Sequence, residues 1–338
     1  MVPELHEAML YCELEDLVVE CGLCRRKCLI PEGRKGQCGV RKNVKGKLYS
    51  LVFGRTLTAS IDPIEKKPLY NFKPGSQCLG VSTFGCNFFC KHCQNWGISQ
   101  QRREEAIAKV PFTSPGEIVE QALAAGAEGI AYTYTEPTVF AEYALETMKL
   151  ARSKNLYNVW VSNGYMTREC IDEIAPFLDA INVDLKGNAK FYREIVGNTD
   201  INFVKENIAY LHEKKIHLEV TNLIVPGFND REKDFKEVSE FVASLSPFVP
   251  LHFTRFSPQY KLDHLPPTGI EKLHRAKGAA EKAGLKYVYV GNVLEGESTK
   301  CPECGAALIK RAGFASQAVG LGKDGECGKC GAETGILV

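Results

Sequence analysis

Cys86, Cys90 and Cys93 fall in the run Phe84-Gly-Cys-Asn-Phe-Phe-Cys-Lys-His-Cys-Gln-Asn-Trp96, a C-x3-C-x2-C spacing that puts three thiols on one short loop. Thiolates are ligands for zinc and for iron–sulfur clusters. A closed structural zinc site takes four ligands in a tetrahedron, and a cubic iron–sulfur cluster takes one cysteine per iron. Three ligands therefore leave one metal corner open to do chemistry. The competing reading is three buried or zinc-binding thiols. The loop directly follows the apolar run Cys78-Leu-Gly-Val-Ser-Thr-Phe84, which reads as the first strand of a barrel, and this favours the open site.

Two further cysteine groups have ligand spacing. Cys301, Cys304, Cys327 and Cys330 form C-x2-C-x22-C-x2-C, each pair closing on a glycine, the knuckle of a zinc ribbon. A tail of about 40 residues hardly supports a core without such a staple, and four thiolates on zinc supply roughly 10–16 kcal/mol in small peptides. A second cluster is the lesser option there. Cys21, Cys24, Cys28 and Cys38 are less regular, C-x2-C-x3-C-x9-C, and leave zinc or an auxiliary iron–sulfur cluster open, with zinc preferred. The adjoining Arg25, Arg26, Lys27, Arg34 and Lys35 read as a solvated face, or as a dock for an acidic electron donor such as flavodoxin. Cys12, Cys78 and Cys170 have no spaced partner and read as ordinary thiols.

The bulk of the chain narrows the class. Its 338 residues suffice for one large domain with small appendages. A formal net charge of +1 gives no global field for nucleic acid or anionic lipid, so neither partner is expected. No apolar stretch is long enough for a membrane helix, and Met1-Val-Pro-Glu-Leu-His-Glu-Ala lacks the pattern of a secretory signal. Fourteen cysteines in short groups within a large chain point to metal binding in a reducing cytoplasm rather than to disulfides.

These ligands need elements to hold them. Strand-like runs occur at Leu79–Phe84, Gly129–Thr133, Asn158–Ser162, Ala180–Asp184, His217–Ile224, Leu251–Phe256 and Tyr287–Val290. Helical stretches separate them. Ser114-Pro115-Gly-Glu117 predicts a capping box, Thr167 opens another helix, and Asp230-Arg-Glu-Lys-Asp-Phe precedes a third. Alternation of this kind predicts βα units and a parallel sheet, with functional groups at the C-terminal strand ends. The expected class is α/β, a partial (β/α)6-type barrel over 76–297. Before it, 1–75 reads as a Cys-rich β segment with a hairpin of Lys47–Phe53 against Arg55–Ile61 about Gly54. After it, 298–338 reads as the zinc-ribbon module.

Polar residues stand at successive strand ends: Tyr132-Thr-Tyr-Thr-Glu136-Pro137, Ser162-Asn163-Gly164, Asp184-Leu-Lys186, Val225-Pro-Gly-Phe-Asn-Asp230 and Val290-Gly-Asn292-Val293. Taken singly, Asp184 and Lys186 could be a strand-end ion pair, since residues two apart share a face, and Glu136 could be turn chemistry. Their joint placement after the cysteine loop is the stronger signal.

The loop, with His92 in the aromatic position before the third cysteine, resembles the cluster loop of radical S-adenosylmethionine (SAM) enzymes. The resemblance extends along the chain through Lys47-Leu-Tyr-Ser-Leu-Val, Asp62-Pro-Ile-Glu-Lys-Lys-Pro-Leu-Tyr-Asn-Phe72, Phe253-Thr-Arg-Phe-Ser-Pro and the C-terminal ribbon. The whole is similar to the AmmeMemoRadiSam-system radical SAM enzymes, relatives of the pyruvate formate-lyase activating enzymes. That resemblance implies a [4Fe-4S] cluster on Cys86, Cys90 and Cys93 whose open iron chelates SAM, with an electron breaking a carbon–sulfur bond to release a 5′-deoxyadenosyl radical. It implies SAM contacts from Glu136, Ser162, Asn163, Asp184 and Lys186, and an adenine cradle near Asn292. In activating enzymes the strand end before Glu136 carries two glycines; Tyr134 and Thr135 stand there instead. Tyr132, Tyr134, Arg255 and Gln259 are candidates to face substrate. Reduced flavodoxin or ferredoxin as donor, and Memo-like and AMMECR-type proteins as partners, follow from the same resemblance. The expected function is hydrogen abstraction from a protein glycine or a small molecule. The alternative is a non-catalytic zinc-rich scaffold or nucleic-acid adaptor, against which the near-neutral charge and the three-cysteine loop both argue.

Overall fold

The computed structural model describes residues 5–293 and 296–338. The opening of the segment read for a secretory signal, residues 1–4, lies outside the described residues. An eight-stranded sheet forms the body. Seven strands run parallel and in sequence order: Gln77–Ser82, Gly129–Tyr132, Tyr157–Ser162, Ala180–Asp184, His217–Ile224, Leu251–Arg255 and Val288–Gly291. They reproduce the runs read from sequence, one strand more than a six-stranded unit. Their β-branched and apolar residues are buried almost without interruption, as befits strands covered on both faces.

The helices start where their caps are. Pro115–Ala124 opens on the Ser114/Glu117 capping box, and Arg168–Ile174 opens on Thr167, whose side chain accepts from the Cys170 N–H. Glu232–Leu245 is entered through Arg231, which pairs with Asp234 at 2.8 Å.

The expected hairpin about Gly54 does not form. Lys47–Ser50 pairs instead with Arg41–Val44 through the turn at Lys45 and Gly46, both with positive φ. Thr58–Pro63 pairs antiparallel with Gln77–Ser82 as the eighth strand of the large sheet. The β-prone runs were legible, but their partners were not. Both conformations satisfy local propensity, and burial against the sheet decides between them.

The N-terminal region, which also carries the small sheet Tyr11–Glu13, Val19–Cys21, Leu29–Ile30, is joined to the body by a buried ion pair. Arg41 Nη2 meets Glu142 Oε1 at 2.8 Å, both nearly inaccessible, and the Met9 N–H donates to the same carboxylate at 2.9 Å. The C-terminal module, with strands Thr299–Lys300, Ala307–Ala312 and Ala315–Ala318, packs where the parallel strands begin, away from the cysteine loop. Tyr287 Oη donates to Thr334 O at 2.7 Å, Tyr289 Oη to Asn71 Oδ1 at 2.6 Å, and Arg311 Nη2 to Tyr70 O at 2.6 Å. Glu219, fully buried at the base of its strand, accepts from the Tyr70 and Asn71 N–H groups at 3.0 and 2.7 Å, and pairs with His217 and His252 at 3.0 and 2.6 Å. The segment Tyr70–Phe72 is thereby clamped between sheet and module.

Candidate active site

The loop Cys86–Cys93 leaves the first parallel strand at its C-terminal end. Backbone bonds fix it: Phe89 N–H donates to Val196 O and Lys91 N–H to Ile195 O, both at 2.9 Å. Their acceptors belong to a π-helical turn, Tyr192–Gly197, beyond the Asp184–Lys186 strand end. Such turns recur at functional sites because the wider ring re-aims backbone carbonyls. Phe88 is buried against Tyr165 and Tyr192 and anchors the loop's centre.

Hydrogen-bonding groups stand beside two of the three thiols, Cys86 and Cys93. Phe88 N–H points at Cys86 Sγ from 3.3 Å, Ser99 Oγ lies 3.2 Å from Cys93 Sγ, and Asn163 Nδ2 lies 3.8 Å from Cys86 Sγ. Burial and the Glu136 carboxylate hold the Cys86 thiol well above its ordinary value. Burial pushes Cys90 up to about 12, although the Lys186 ammonium opposes it. Without a bound cation Cys86 and Cys90 would stay protonated at neutral pH. A three-thiol set of this kind, with donors aimed at its sulfurs, fits a metal cluster that draws the protons off. His92, buried and tilted on Phe191 at 5.6 Å, is lowered to about 3 by burial and Lys186, so it is neutral. It acts as an aromatic wall.

Glu136, Ser162 and Asn163 form one network beside Cys86. Glu136 Oε1 accepts from Thr138 N–H at 3.1 Å, Thr138 Oγ1 at 2.6 Å and Ser162 Oγ at 2.8 Å; Oε2 accepts from Asn163 N–H at 2.8 Å. Burial raises its pKa against those bonds. Much of the carboxylate's capacity is thus spent within the protein, ordering two strand ends. Asn163 Nδ2 continues to Asn87 Oδ1 at 2.7 Å, inside the cysteine loop.

Asp184 and Lys186 pair at 2.7 Å near Cys90. Burial pulls the ammonium down, but Asp184 and Cys90 more than offset this and hold it above its ordinary value. Asn292 stands apart: it is exposed, follows the far edge strand, and donates to Arg255 O at 3.2 Å.

Three residues read as facing substrate have other partners. Tyr132 is fully buried, 3.3 Å from Asn158 Oδ1 and packed near Trp160. Tyr134 turns inward over Gly80, where a Cβ would meet its hydroxyl at 2.8 Å, and donates to Asp62. Lys67 donates to that hydroxyl at 3.0 Å and to Asp62 at 2.7 Å. Arg255 donates to Thr268 O at 2.9 Å. Gln259 is half-buried beside Tyr260, which stacks on the exposed Trp96 at 5.1 Å and 11°. Asn87, Asn95 and Ser99 went unread in the sequence. Asn95 Nδ2 donates to Tyr134 O at 2.7 Å and ties the cysteine loop to the next strand end. Their proximity to the three cysteines was the available signal.

The Radical SAM superfamily model matches residues 81–242. The uncharacterized protein MJ0808 of Methanocaldococcus jannaschii is 44% identical over 99% of this chain and 100% of its own length. The pyruvate formate-lyase 1-activating enzyme of Escherichia coli K12 is 22% identical over 61% of this chain and 89% of its own. A radical SAM methyltransferase from Sphaerobacter thermophilus shares the fold at a TM-score of 0.51 and 17% identity, over 73% of this chain and 72% of that one.

Proposed function

Since the chain belongs to one family with MJ0808 and carries a radical SAM domain homologous to pyruvate formate-lyase activating enzymes, we propose that it cleaves SAM reductively and abstracts hydrogen from a substrate. The carrying observation is the three-thiol loop, with donors on its sulfurs, set directly after the first parallel strand. Cys86, Cys90 and Cys93 would hold the [4Fe-4S] cluster. When bound, the cluster supplies one electron to the SAM sulfonium and an open iron to chelate SAM.

The chain's own residues would do the rest. Asn163 and Asn87 orient the loop at Cys86. Lys186, charged and held by Asp184, offers a cation for the SAM carboxylate. Ser162 and Glu136 fix the strand ends beside it, and Asn292 would reach the adenine from the far edge. The exposed Trp96–Tyr260 stack, with Gln259, offers the platform where substrate enters. A protein glycine, as in activating enzymes, fits that open platform, and a small molecule is the other class. Reduced flavodoxin or ferredoxin would supply the electron, the C-terminal cysteines would hold zinc, and Memo-like and AMMECR-type proteins are the proposed associates. Reconstitution under anaerobic conditions, followed by quantification of 5′-deoxyadenosine with dithionite, tests the reading. Formation that disappears in Cys86→Ala, Cys90→Ala and Cys93→Ala supports it. A wild-type chain that takes up zinc alone and makes none refutes it.

A further inference from the structure

The N-terminal cysteines fold against the cluster loop. The Cys21 N–H donates to Cys28 O at 2.9 Å and the Lys27 N–H to Cys24 O at 3.1 Å, closing a knuckle. Gly36 passes so near that a Cβ there would lie 3.7 Å from Cys28 Sγ, and the Gln37 N–H points at the same sulfur from 3.5 Å. Cys21, Cys24 and Cys38 are buried and Cys28 is partly exposed. The thiols stand within electrostatic reach of one another, Cys24 with Cys21 and Cys38, and Cys28 with Cys21 and Cys38.

Sulfur spacing separates this set from the C-terminal one. Zn–S bonds of about 2.3 Å set a tetrahedral edge of about 3.8 Å. Cys301–Cys330 and Cys304–Cys327 both lie at 3.7 Å, and those four atoms close to within 4.8 Å of one another. Among the described residues, neither the N-terminal four nor Cys86, Cys90 and Cys93 close that far. An iron–sulfur cluster seats each cysteine on a different iron, so its ligand sulfurs stand further apart than in a single-ion site.

Position adds a second argument. Cys24 bridges to Met166, the Arg25 N–H donates to Tyr165 O at 3.0 Å, and Arg26 Nε donates to Asn87 O at 3.0 Å. A Cβ at Gly85 would meet Cys38 O at 3.0 Å. Asn87 Oδ1 lies 3.9 Å from Cys86 Sγ, and the carbonyl of the same residue is the one that Arg26, two residues after Cys24, donates to. Arg26 and Asn87 therefore join the N-terminal cysteine segment to the cluster loop. Lys27 and Arg34 are exposed near the Cys28 end.

We propose that Cys21, Cys24, Cys28 and Cys38 hold a second iron–sulfur cluster, which passes electrons to the site at Cys86, Cys90 and Cys93. The relay rests on the radical SAM reading; the metal assignment does not. One electron from a reduced flavodoxin- or ferredoxin-class donor, itself oxidised by one electron, would reduce the second cluster. Its transfer inward would reoxidise that cluster and leave one electron for the SAM carbon–sulfur bond, which breaks to methionine and a 5′-deoxyadenosyl radical.

The test is iron, sulfide and zinc analysis with EPR on the full chain after anaerobic reconstitution. The wild type should hold about eight irons, and the triple variant Cys86→Ala/Cys90→Ala/Cys93→Ala should keep about four together with a reducible cluster signal. A triple variant that keeps only zinc overturns the assignment. If it keeps its iron while the wild type cleaves no SAM, the radical SAM reading falls and the second cluster stands. For the relay, Cys24→Ser should lose most 5′-deoxyadenosine formation driven by flavodoxin and retain that driven by dithionite. Equal activity with both donors, or equal loss in a chain whose Cys86 cluster signal is intact, overturns it.

Discussion

Tyr134 occupies a left-handed backbone position, φ +67°, of the kind glycine favours. The activating-enzyme pattern has glycine at this strand end. Here the backbone keeps the glycine-like turn, and the side chain repays its strain by reaching Asp62 and Lys67. Tyr134→Phe removes a hydrogen bond to a charged group and should destabilise the chain by roughly 1.5–3 kcal/mol, read by urea denaturation; an unchanged midpoint would refute that role. At Glu136 the expectation is different. Gln in its place would aim an amide N–H at one of the donors it now accepts from, Asn163 N–H among them. Glu136→Gln should cost about 1–3 kcal/mol and lower 5′-deoxyadenosine yield, because Asn163 also approaches Cys86. Lys186→Met should weaken SAM binding, measured by isothermal titration, with the cluster's iron retained; iron loss would instead make the lysine a support of Cys90.

At the scale of elements, the strand runs and two of the helix caps were legible because burial on both faces and Ser/Thr capping leave strong local marks. The partner of Lys47–Ser50 was not, since a β-prone run does not name its neighbour. The inward turn of Tyr134 was hidden for a related reason: its partners Asp62 and Lys67 lie far away in sequence. The roles of Glu136, Ser162 and Asn163 as one network were half-legible. Their strand-end positions could be read, but their hydrogen bonds to each other could not. The base of the sheet makes a pH prediction. Burial raises the Glu219 carboxyl, but His217 and His252 more than offset this and hold it at about 2. A depressed carboxyl contributes stability that is present above its unfolded value and is lost as pH falls through the folded one. The difference in stability between wild type and Glu219→Gln should therefore be full at neutral pH and shrink as pH falls from about 4.5 towards 2. A difference that is flat with pH would contradict the ionised clamp.

At the scale of the whole molecule, the cysteine sets divide between two ends of the sheet. The C-terminal four lie with the strand beginnings, tied through Tyr287, Tyr289 and Arg311, and the other two sets meet at the strand ends across Asn87. Cys304→Ser should therefore remove one metal and lower thermal stability while leaving SAM cleavage by the folded chain intact; loss of the iron chromophore with it would show the ends to be coupled. The proposed radical chemistry depends on three thiolates leaving one iron open to SAM. EPR of the anaerobically reduced chain, before and after SAM is added, tests it most directly. A signal from the cluster on Cys86, Cys90 and Cys93 should shift its g-values on addition of SAM and be missing in Cys90→Ala. A reduced wild-type cluster whose spectrum is indifferent to SAM would contradict it.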